Sequence, residues 1–167
     1  MIKIFMLLLI LTTNSFAKTE YGLVESDRDV IQWLFKKAQK YSGIYSNFPD
    51  LNHVKFFLVS DIELSQIACE HDPENCRGIA GLFDTQTKTI FLRADLNPTQ
   101  DKIGSSFLLH EIVHYLQSER YTEDEMFATC ERLYATEQLA YAAQDKFLKD
   151  EGEFFRAGNF LRFFLCN

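Results

Sequence analysis

Proline is scarce in this chain of 167 residues, which contains only three prolines. The chain has no tandem repeat and no stretch of biased composition. Sixteen phenylalanines and a hydrophobic fraction of 47% are typical of a folded protein rather than a disordered one. A chain of this length and composition can bury a real core, so we expect one compact domain without an internal linker.

A surplus of basic residues is also missing. The chain has 17 Lys and Arg against 24 Asp and Glu, which gives a formal net charge of −7 at pH 7. A surface that binds nucleic acid needs a cluster of Lys and Arg to meet the phosphates, and no such cluster is present in the sequence. We therefore expect no nucleic-acid partner.

A hydrophobic run long enough to span a membrane is absent as well. The chain begins MIKIFMLLLILTTNSFAKTE, in which the apolar run covers only residues 4–11. A spanning helix needs about 20 apolar residues. Lys3 before the run and the small residues SFA after it are typical of a secretory signal peptide that is cut after Ala17. We expect a signal peptide at residues 1–17, a single domain at residues 18–167, and a secreted or periplasmic protein with no stable membrane anchor.

The four cysteines form an even set, and export would place them in an oxidising compartment. Two disulfides are expected, and three pairings are possible. We favour Cys69–Cys76, which closes the short loop CEHDPENC, and Cys130–Cys166, which ties the C-terminus to a helix. The alternative is a metal site made by Cys69, His71 and Cys76, but these residues lack a standard zinc spacing.

The hydrophobic pattern predicts helices on both sides of a small sheet. SDRDVIQWLFKKAQKYSG predicts a first helix that stops at Gly43. HVKFFLVS predicts a strand, and GIAGLFDTQTKTIFLRADL predicts a β-hairpin around the turn DTQTK. A further helix should begin with Asn97 as N-cap, and a long one should run from about Glu123 to Lys149. The aromatic tail EFFRAGNFLRFFLCN should pack on the core. This order predicts an α+β fold, with a small antiparallel sheet packed against the last two helices.

The stretch FLLHEIVHYLQ places His110 and His114 one helical turn apart, with Glu111 beside the first histidine. This spacing suits two ligands of one tetrahedral zinc ion, and the carboxylate of an HExxH motif acts as the general base. One stripe of the helix carries both histidines among apolar neighbours, and its members are Ile103, Phe107, His110, His114 and Gln117. The alternative is a pair of core histidines that donate hydrogen bonds to backbone carbonyls.

A catalytic zinc ion needs a third protein ligand, and no histidine follows His114 in the sequence. The acidic candidates on the next helix are chiefly Glu131 and Glu137. At about 100° per residue, Glu137 lies near the centre of an apolar helix face, whereas Glu131 points about 120° away toward polar positions. The residues within about 60° of Glu137 are Met126, Cys130, Leu133, Tyr134, Ala140, Tyr141, Gln144 and Leu148. A buried carboxylate needs a charged partner or a metal ion, so Glu137 is the predicted third ligand and a buried salt bridge is the alternative.

HEIVHYLQ followed by EQLAY resembles the gluzincin type of zinc metallopeptidase, in which a glutamate on the next long helix completes HExxH. ATEQLAYAAQ is similar to the ExxA segment that carries this glutamate in several such families. The chain also resembles a group of short secreted bacterial proteins described only as domains of unknown function, with an HExVHxLQ core. The resemblance covers residues 78–144 and implies a minimal zincin-like domain. Families with a fuller ExxAD pattern have aspartate where this chain has Tyr141, so the support of the first histidine is expected to differ.

The resemblance also implies where a substrate binds. In these peptidases the last strand before the HExxH helix is an exposed edge, and an extended peptide adds to it as a further strand. Thr89–Arg93, with the sequence TIFLR, is the matching segment. The alternative is an ordinary core strand.

Together these features predict a monomeric, Zn²⁺-dependent hydrolase that cleaves peptide bonds. Glu111 would be the general base, and Tyr141, Tyr134 and Tyr121 are the candidate donors to the oxyanion, of which Tyr141 shares the Glu137 face. One alternative is a secreted, disulfide-stabilised binding or inhibitory protein with a structural zinc ion. Another is a hydrolase of non-peptide amides, such as those of a cell wall.

Overall fold

The computed structural model describes residues 25–46, 53–163 and 166. The predicted signal peptide and its cut after Ala17 lie outside the described residues. Within the described ranges, no helix combines the length and the apolar character needed to cross a membrane.

The described chain alternates helices with short strands, which confirms the α+β class. The helices are α1 (Glu25–Ser42), α2 (Asp61–Ala68), α3 (Lys102–Ser118), α4 (Glu123–Phe127) and α5 (Cys130–Asp150), and the strands are β1 (Lys55–Val59), β2 (Gly81–Asp84) and β3 (Thr89–Arg93). Two short 3₁₀ helices cover Pro73–Cys76 and Ala157–Phe163.

The sheet is mixed, so the prediction of a wholly antiparallel sheet was wrong. The strand order is β1-β3-β2, with β2 antiparallel to β3 as expected for the hairpin. However, β1 runs parallel to β3, because α2, the disulfide loop and β2 intervene and return the chain to the same end of the sheet. This order makes β3 (Thr89–Arg93) the central strand, and its residues 89–92 are buried. The prediction that Thr89–Arg93 is an exposed edge was therefore wrong.

Helix α2 was missed by the sequence analysis, although a local signal for it exists. Ser60 is its N-cap, and the Ser60 hydroxyl accepts a hydrogen bond from the backbone N–H of Glu63. The carboxylate of Glu63 accepts in return from the backbone N–H of Ser60 at 2.9 Å. This reciprocal capping box satisfies two backbone donors that a helix end otherwise leaves unpaired, and it explains why the chain turns into a helix directly after β1.

Helix α3 begins later than predicted. Its N-cap is Asp101, whose carboxylate accepts from the backbone N–H of Gly104 at 2.7 Å, and not Asn97. The carbonyl of Asn97 instead accepts from the backbone N–H of Asp101 and closes a turn before the helix. A β-carbon on Gly104 would lie 3.0 Å from the backbone of Asn97, so the missing side chain lets this turn pack closely on the helix.

The predicted single helix from Glu123 to Lys149 is two helices. Helix α4 ends at Phe127, and Thr129 adopts an extended conformation with φ −133° before α5 begins at Cys130. The Thr129 hydroxyl accepts from the backbone N–H of Arg132, so a new N-cap stops the first helix and starts the second. The stop near Gly152 is confirmed, and Gly152 has φ +81°.

The core forms where α1, α3 and α5 pack together, and the other side of α3 contacts β2 and β3. Its largest fully buried side chains include Leu34, Phe35, Leu109, Leu116 and Phe147. Full burial of each such side chain contributes roughly 1.5–3 kcal/mol. Helix α3 is therefore the central element of the domain, and residues on any of its faces meet other parts of the chain.

Both predicted disulfides, Cys69–Cys76 and Cys130–Cys166, are present. The second one fastens the C-terminus to the first residue of α5.

The aromatic tail follows the prediction only in part. Ala157 is fully buried and the 3₁₀ helix that it begins packs on α5, whereas Phe154 is 100% exposed and Phe160 is half exposed.

Candidate metal centre

The HEIVH segment lies at the middle of α3, facing both α5 and β2. His110 and Glu111 are each only 6% exposed, and His114 is 9% exposed. The segment is therefore buried, and within the described residues no contact of the two rings with a backbone carbonyl replaces their side-chain partners. Three ionisable side chains this deep in a domain need partners, since each would otherwise lose the solvation of its charge.

The partner is Glu137, which α5 places opposite the two histidines. The Nε2 atoms of His110 and His114 are 3.0 Å apart. One carboxylate oxygen of Glu137 lies 3.4 Å from His110 Nε2, and the other lies 3.3 Å from His114 Nε2. Glu131 is exposed on another face of α5, as its helical position predicts. The structure thus brings together the three residues that were predicted as ligands.

These three residues can hold a metal ion, because one ligand atom from each lies within 4.8 Å of the others. Two imidazole nitrogens and one carboxylate oxygen are a donor set that catalytic zinc sites use. Electron-rich atoms only 3.0–3.4 Å apart also require a positive charge between them, either a proton or a metal cation. The side chain of Glu137 is 22% exposed, so the centre is open to solvent on that side.

The rival metal site at Cys69, His71 and Cys76 is excluded. Both cysteines are joined in a disulfide, so neither can offer a thiolate to a metal ion. In the part of the chain that the structure describes, the centre around Glu137 is the only group of three or more His, Cys, Asp or Glu side chains that lie close enough to share an ion.

The outer nitrogens of both histidine rings contact buried glutamines. His110 Nδ1 lies 3.1 Å from Gln144 Oε1, and His114 Nδ1 lies 2.8 Å from Gln117 Oε1. Neither glutamine was predicted to have a role. The signal was available, because Gln117 lies on the histidine stripe and Gln144 on the Glu137 face, and each is a polar residue at a buried position.

The charges of the cluster depend on one another. Burial alone would raise the pKa of Glu137, but hydrogen bonds from His110 and His114 outweigh it and hold that pKa well below the ordinary value. Burial alone would lower the pKa of His114, but the adjacent Glu137 carboxylate outweighs it and raises that pKa to about 9. Without a metal ion, the cluster therefore keeps a proton on His114 at neutral pH.

Glu111 lies against strand β2. A β-carbon on Gly81 would lie 2.7 Å from Glu111 Oε1, so the absence of a side chain at Gly81 makes room for the carboxylate. The backbone of Phe83 hydrogen bonds to Glu111. Burial raises the pKa of Glu111, although the nearby histidines act in the opposite direction. A carboxylate with a raised pKa holds a proton more strongly, which is the property that a general base needs.

Tyr141 contacts the first histidine of the centre. Its ring centroid lies 4.4 Å from that of His110. Burial raises the Tyr141 pKa to about 12, and the negative charges of Glu137 and Glu111 add to this effect. Its hydroxyl therefore stays protonated and able to donate at neutral pH. Tyr141 lines the cleft that opens over the centre, whereas neither Tyr121 nor Tyr134 is among the residues that line this cleft.

A cleft of about 640 Å³ opens over the centre. Strand β2 and the segment before it form one wall, which includes Gly81. Two exposed aromatic residues also line the cleft, Phe127 of α4 and Phe160 of the C-terminal 3₁₀ helix, and each is more than 40% exposed. The donor atoms, Glu111 and Tyr141 are thus reachable from solvent through one opening. No family model, no curated protein and no solved structure matches this chain.

Proposed function

We propose that this protein is a secreted zinc-dependent hydrolase, and specifically a metallopeptidase of the gluzincin type. The observation that carries the proposal is the convergence of His110, His114 and Glu137 on one point, with the carboxylate of Glu111 buried beside it. Three protein ligands and an open side are the arrangement of a catalytic zinc site, whereas a structural site uses four protein ligands.

A zinc ion held by these three residues would supply a Lewis acid for a water molecule and for the scissile carbonyl. Glu111 takes a proton from the attacking water and then gives it to the leaving amine. The raised pKa of Glu111 favours the first transfer. The Tyr141 hydroxyl, which stays protonated up to about pH 12, donates a hydrogen bond to the oxygen on which negative charge develops.

The free edge of β2 offers a place for the substrate backbone. Strand β2 pairs with β3 on one side only, and within the described residues no strand pairs with its other side. Gly81 and its neighbours also line the cleft. We propose that an extended peptide adds to this edge, in place of the Thr89–Arg93 strand predicted from the sequence. The exposed aromatic residues Phe127 and Phe160, which line the same cleft, favour a peptide with a bulky apolar side chain near the scissile bond.

The test is hydrolysis of mixed peptides by the zinc-loaded mature protein, with Glu111→Gln as the matched variant. The parent should cleave, and Glu111→Gln should bind zinc equally well but cleave at least about 100-fold more slowly, since a general base contributes 10²–10⁴-fold. Equal cleavage by the two proteins would show that Glu111 is not the base. Zinc binding without cleavage of any peptide would favour a binding or inhibitory protein with a structural metal, and cleavage of cell-wall amides alone would favour a different substrate class.

A further inference from the structure

We propose that Gln117 and Gln144 are positioning residues which fix both metal-binding histidines in the ring form that accepts a cation at Nε2. This inference rests on the proposed metal centre, but its test uses zinc binding and needs no substrate. The two glutamines are almost fully buried, with exposures of 2% and 0%. Neither side chain contacts the proposed ion, so both would act through the histidines.

The direction of the Gln117 amide is set by the backbone of α5. Gln117 Nε2 lies 2.9 Å from the carbonyl oxygen of Thr136, which can only accept a hydrogen bond. The amide nitrogen must therefore face Thr136, and the amide oxygen must face His114 Nδ1 at 2.8 Å. An amide oxygen can only accept, so Nδ1 of His114 carries a hydrogen.

The direction of the Gln144 amide is set by a serine. Gln144 Nε2 lies 3.0 Å from Ser106 Oγ. That hydroxyl gives its single hydrogen to the carbonyl of Ile103 at 2.7 Å, so toward Gln144 it can only accept. The amide oxygen of Gln144 consequently faces His110 Nδ1 at 3.1 Å, and this nitrogen also carries a hydrogen.

With hydrogens held on both Nδ1 atoms, Nε2 is the nitrogen of each ring that faces Glu137, and a metal ion would bind there by displacing the hydrogen that Nε2 shares with the carboxylate. The 3.0 Å separation of the two Nε2 atoms is then a consequence of the glutamines, and the donor set is in place before a metal ion arrives. Gln117 has a second effect, because Thr136 directly precedes Glu137. One amide thereby connects the ring of His114 to the backbone that carries the third ligand.

Replacement of glutamine by glutamate should have different effects at the two positions. A carboxylate at position 144 can still accept from His110 Nδ1, and the Ser106 hydroxyl can turn its hydrogen toward the second oxygen. A carboxylate at position 117 would instead place an oxygen against the Thr136 carbonyl, which has no hydrogen to turn. The proposal thus predicts opposite results for the same chemical change at the two positions.

The experiment measures the zinc dissociation constant by chelator competition at pH 8, where carboxylates are ionised. Gln117→Leu, Gln144→Leu and Gln117→Glu should each weaken zinc binding about 10–100-fold, as expected for a lost supporting hydrogen bond. Gln144→Glu should bind zinc with an affinity within about threefold of the parent's, a change smaller than the 10–100-fold loss expected of the other variants. The control is Gln138→Leu on the exposed face of α5, which should change nothing.

Nitrogen-15 correlation spectra of the zinc-loaded protein identify which nitrogen of each imidazole binds zinc and which carries hydrogen. A general loss of stability would not change this assignment. In the parent protein, both histidines should bind zinc through Nε2 and carry hydrogen on Nδ1. Binding through Nδ1, parent-like zinc affinity in both leucine variants, or equal losses of affinity in both glutamate variants would overturn the role of the glutamines while leaving the centre intact. Absence of zinc binding in the parent protein would instead overturn the centre itself, and the inference with it.

Discussion

Gly81 of β2 lies directly against the carboxylate of Glu111 on α3. A β-carbon at position 81 would come within 2.7 Å of Glu111 Oε1 and 2.9 Å of Glu111 Cγ. Glu111 is only 6% exposed, so the space that its carboxylate occupies beside β2 exists because Gly81 has no side chain. The position of the proposed base therefore depends on a residue that the sequence analysis did not single out.

Replacing this glycine should impair hydrolysis more than metal binding. In Gly81→Ala, the new methyl group should displace the Glu111 carboxylate or move β2, and a shift of about 1 Å in a catalytic group can cost about 100-fold in rate. Zinc affinity and the melting temperature of the zinc-loaded protein should change little, because the three proposed ligands lie on α3 and α5. Wild-type rates of peptide hydrolysis in Gly81→Ala would show that the close contact has no catalytic role.

The two glutamates of α5 form a matched pair for testing the third ligand. Glu137→Gln should weaken zinc binding by at least about 100-fold, beyond the 10–100-fold typical of a lost supporting hydrogen bond. Glu131→Gln should leave zinc affinity unchanged, because Glu131 is exposed on another face of the same helix. Isothermal titration with zinc measures both constants. Similar affinities in the two variants would remove Glu137 from the ligand set.

Between pH 6.5 and 9, the stability of the metal-free protein and the stabilisation added by zinc should change in opposite directions. In the metal-free protein, His114 has a pKa of about 9 against an ordinary 6.5, so its stabilising contribution is complete below pH 6.5 and is lost as pH rises through about 9. The pKa of Glu137 is lowered from 4.5, so its contribution is present above pH 4.5 and is lost as pH falls below that value. Zinc must displace the His114 proton, so its added stabilisation should grow between pH 6.5 and 9.

Melting temperatures measured with a chelator and with buffered free zinc, at steps from pH 6 to 9, check both trends. The chelator series should decline toward pH 9, while the difference between the two series increases. A zinc effect of constant size across this range would mean that zinc binds elsewhere, without displacing a proton from His114.

Removal of the Tyr141 hydroxyl should lower turnover without affecting the metal. The loss of one oxyanion donor typically costs about 10²–10³ in rate, so Tyr141→Phe should fall by that amount while its zinc content stays at the parent level. Tyr134→Phe on the same helix is the control and should cleave normally, because Tyr134 does not line the cleft. Steady-state kinetics on any cleaved peptide distinguish the two variants.

Features governed by local periodicity could be predicted from the sequence. The spacing of His110 and His114 and the angular position of Glu137 on its helix both depend on about 3.6 residues per turn, which tertiary structure rarely changes. The grouping of His110, His114 and Glu137 therefore followed from the sequence once both helices were assigned, and their role as ligands stays a prediction. The two disulfide pairings were also predicted correctly, because one closes a short loop and the other joins a helix to the chain end.

Features governed by long-range pairing could not be predicted. The parallel pairing of β1 with β3 joins segments that are far apart in sequence, and it moved Thr89–Arg93 from the expected edge to the centre of the sheet. The N-cap of α3 was decided by competition, since Asn97 and Asp101 are both suitable residues. Close packing of Gly104 on the backbone of Asn97 selected Asp101, and that contact exists only in the folded chain.

Zinc-edge anomalous diffraction from crystals of the mature protein grown with zinc tests the central claim most directly. We expect one anomalous peak, bonded to Nε2 of His110 and of His114 at about 2.0–2.1 Å and to a Glu137 oxygen at about 2.0–2.2 Å, with its remaining side facing the cleft. A peak away from these atoms, a fourth protein ligand that closes the site, or no peak at all would contradict the account.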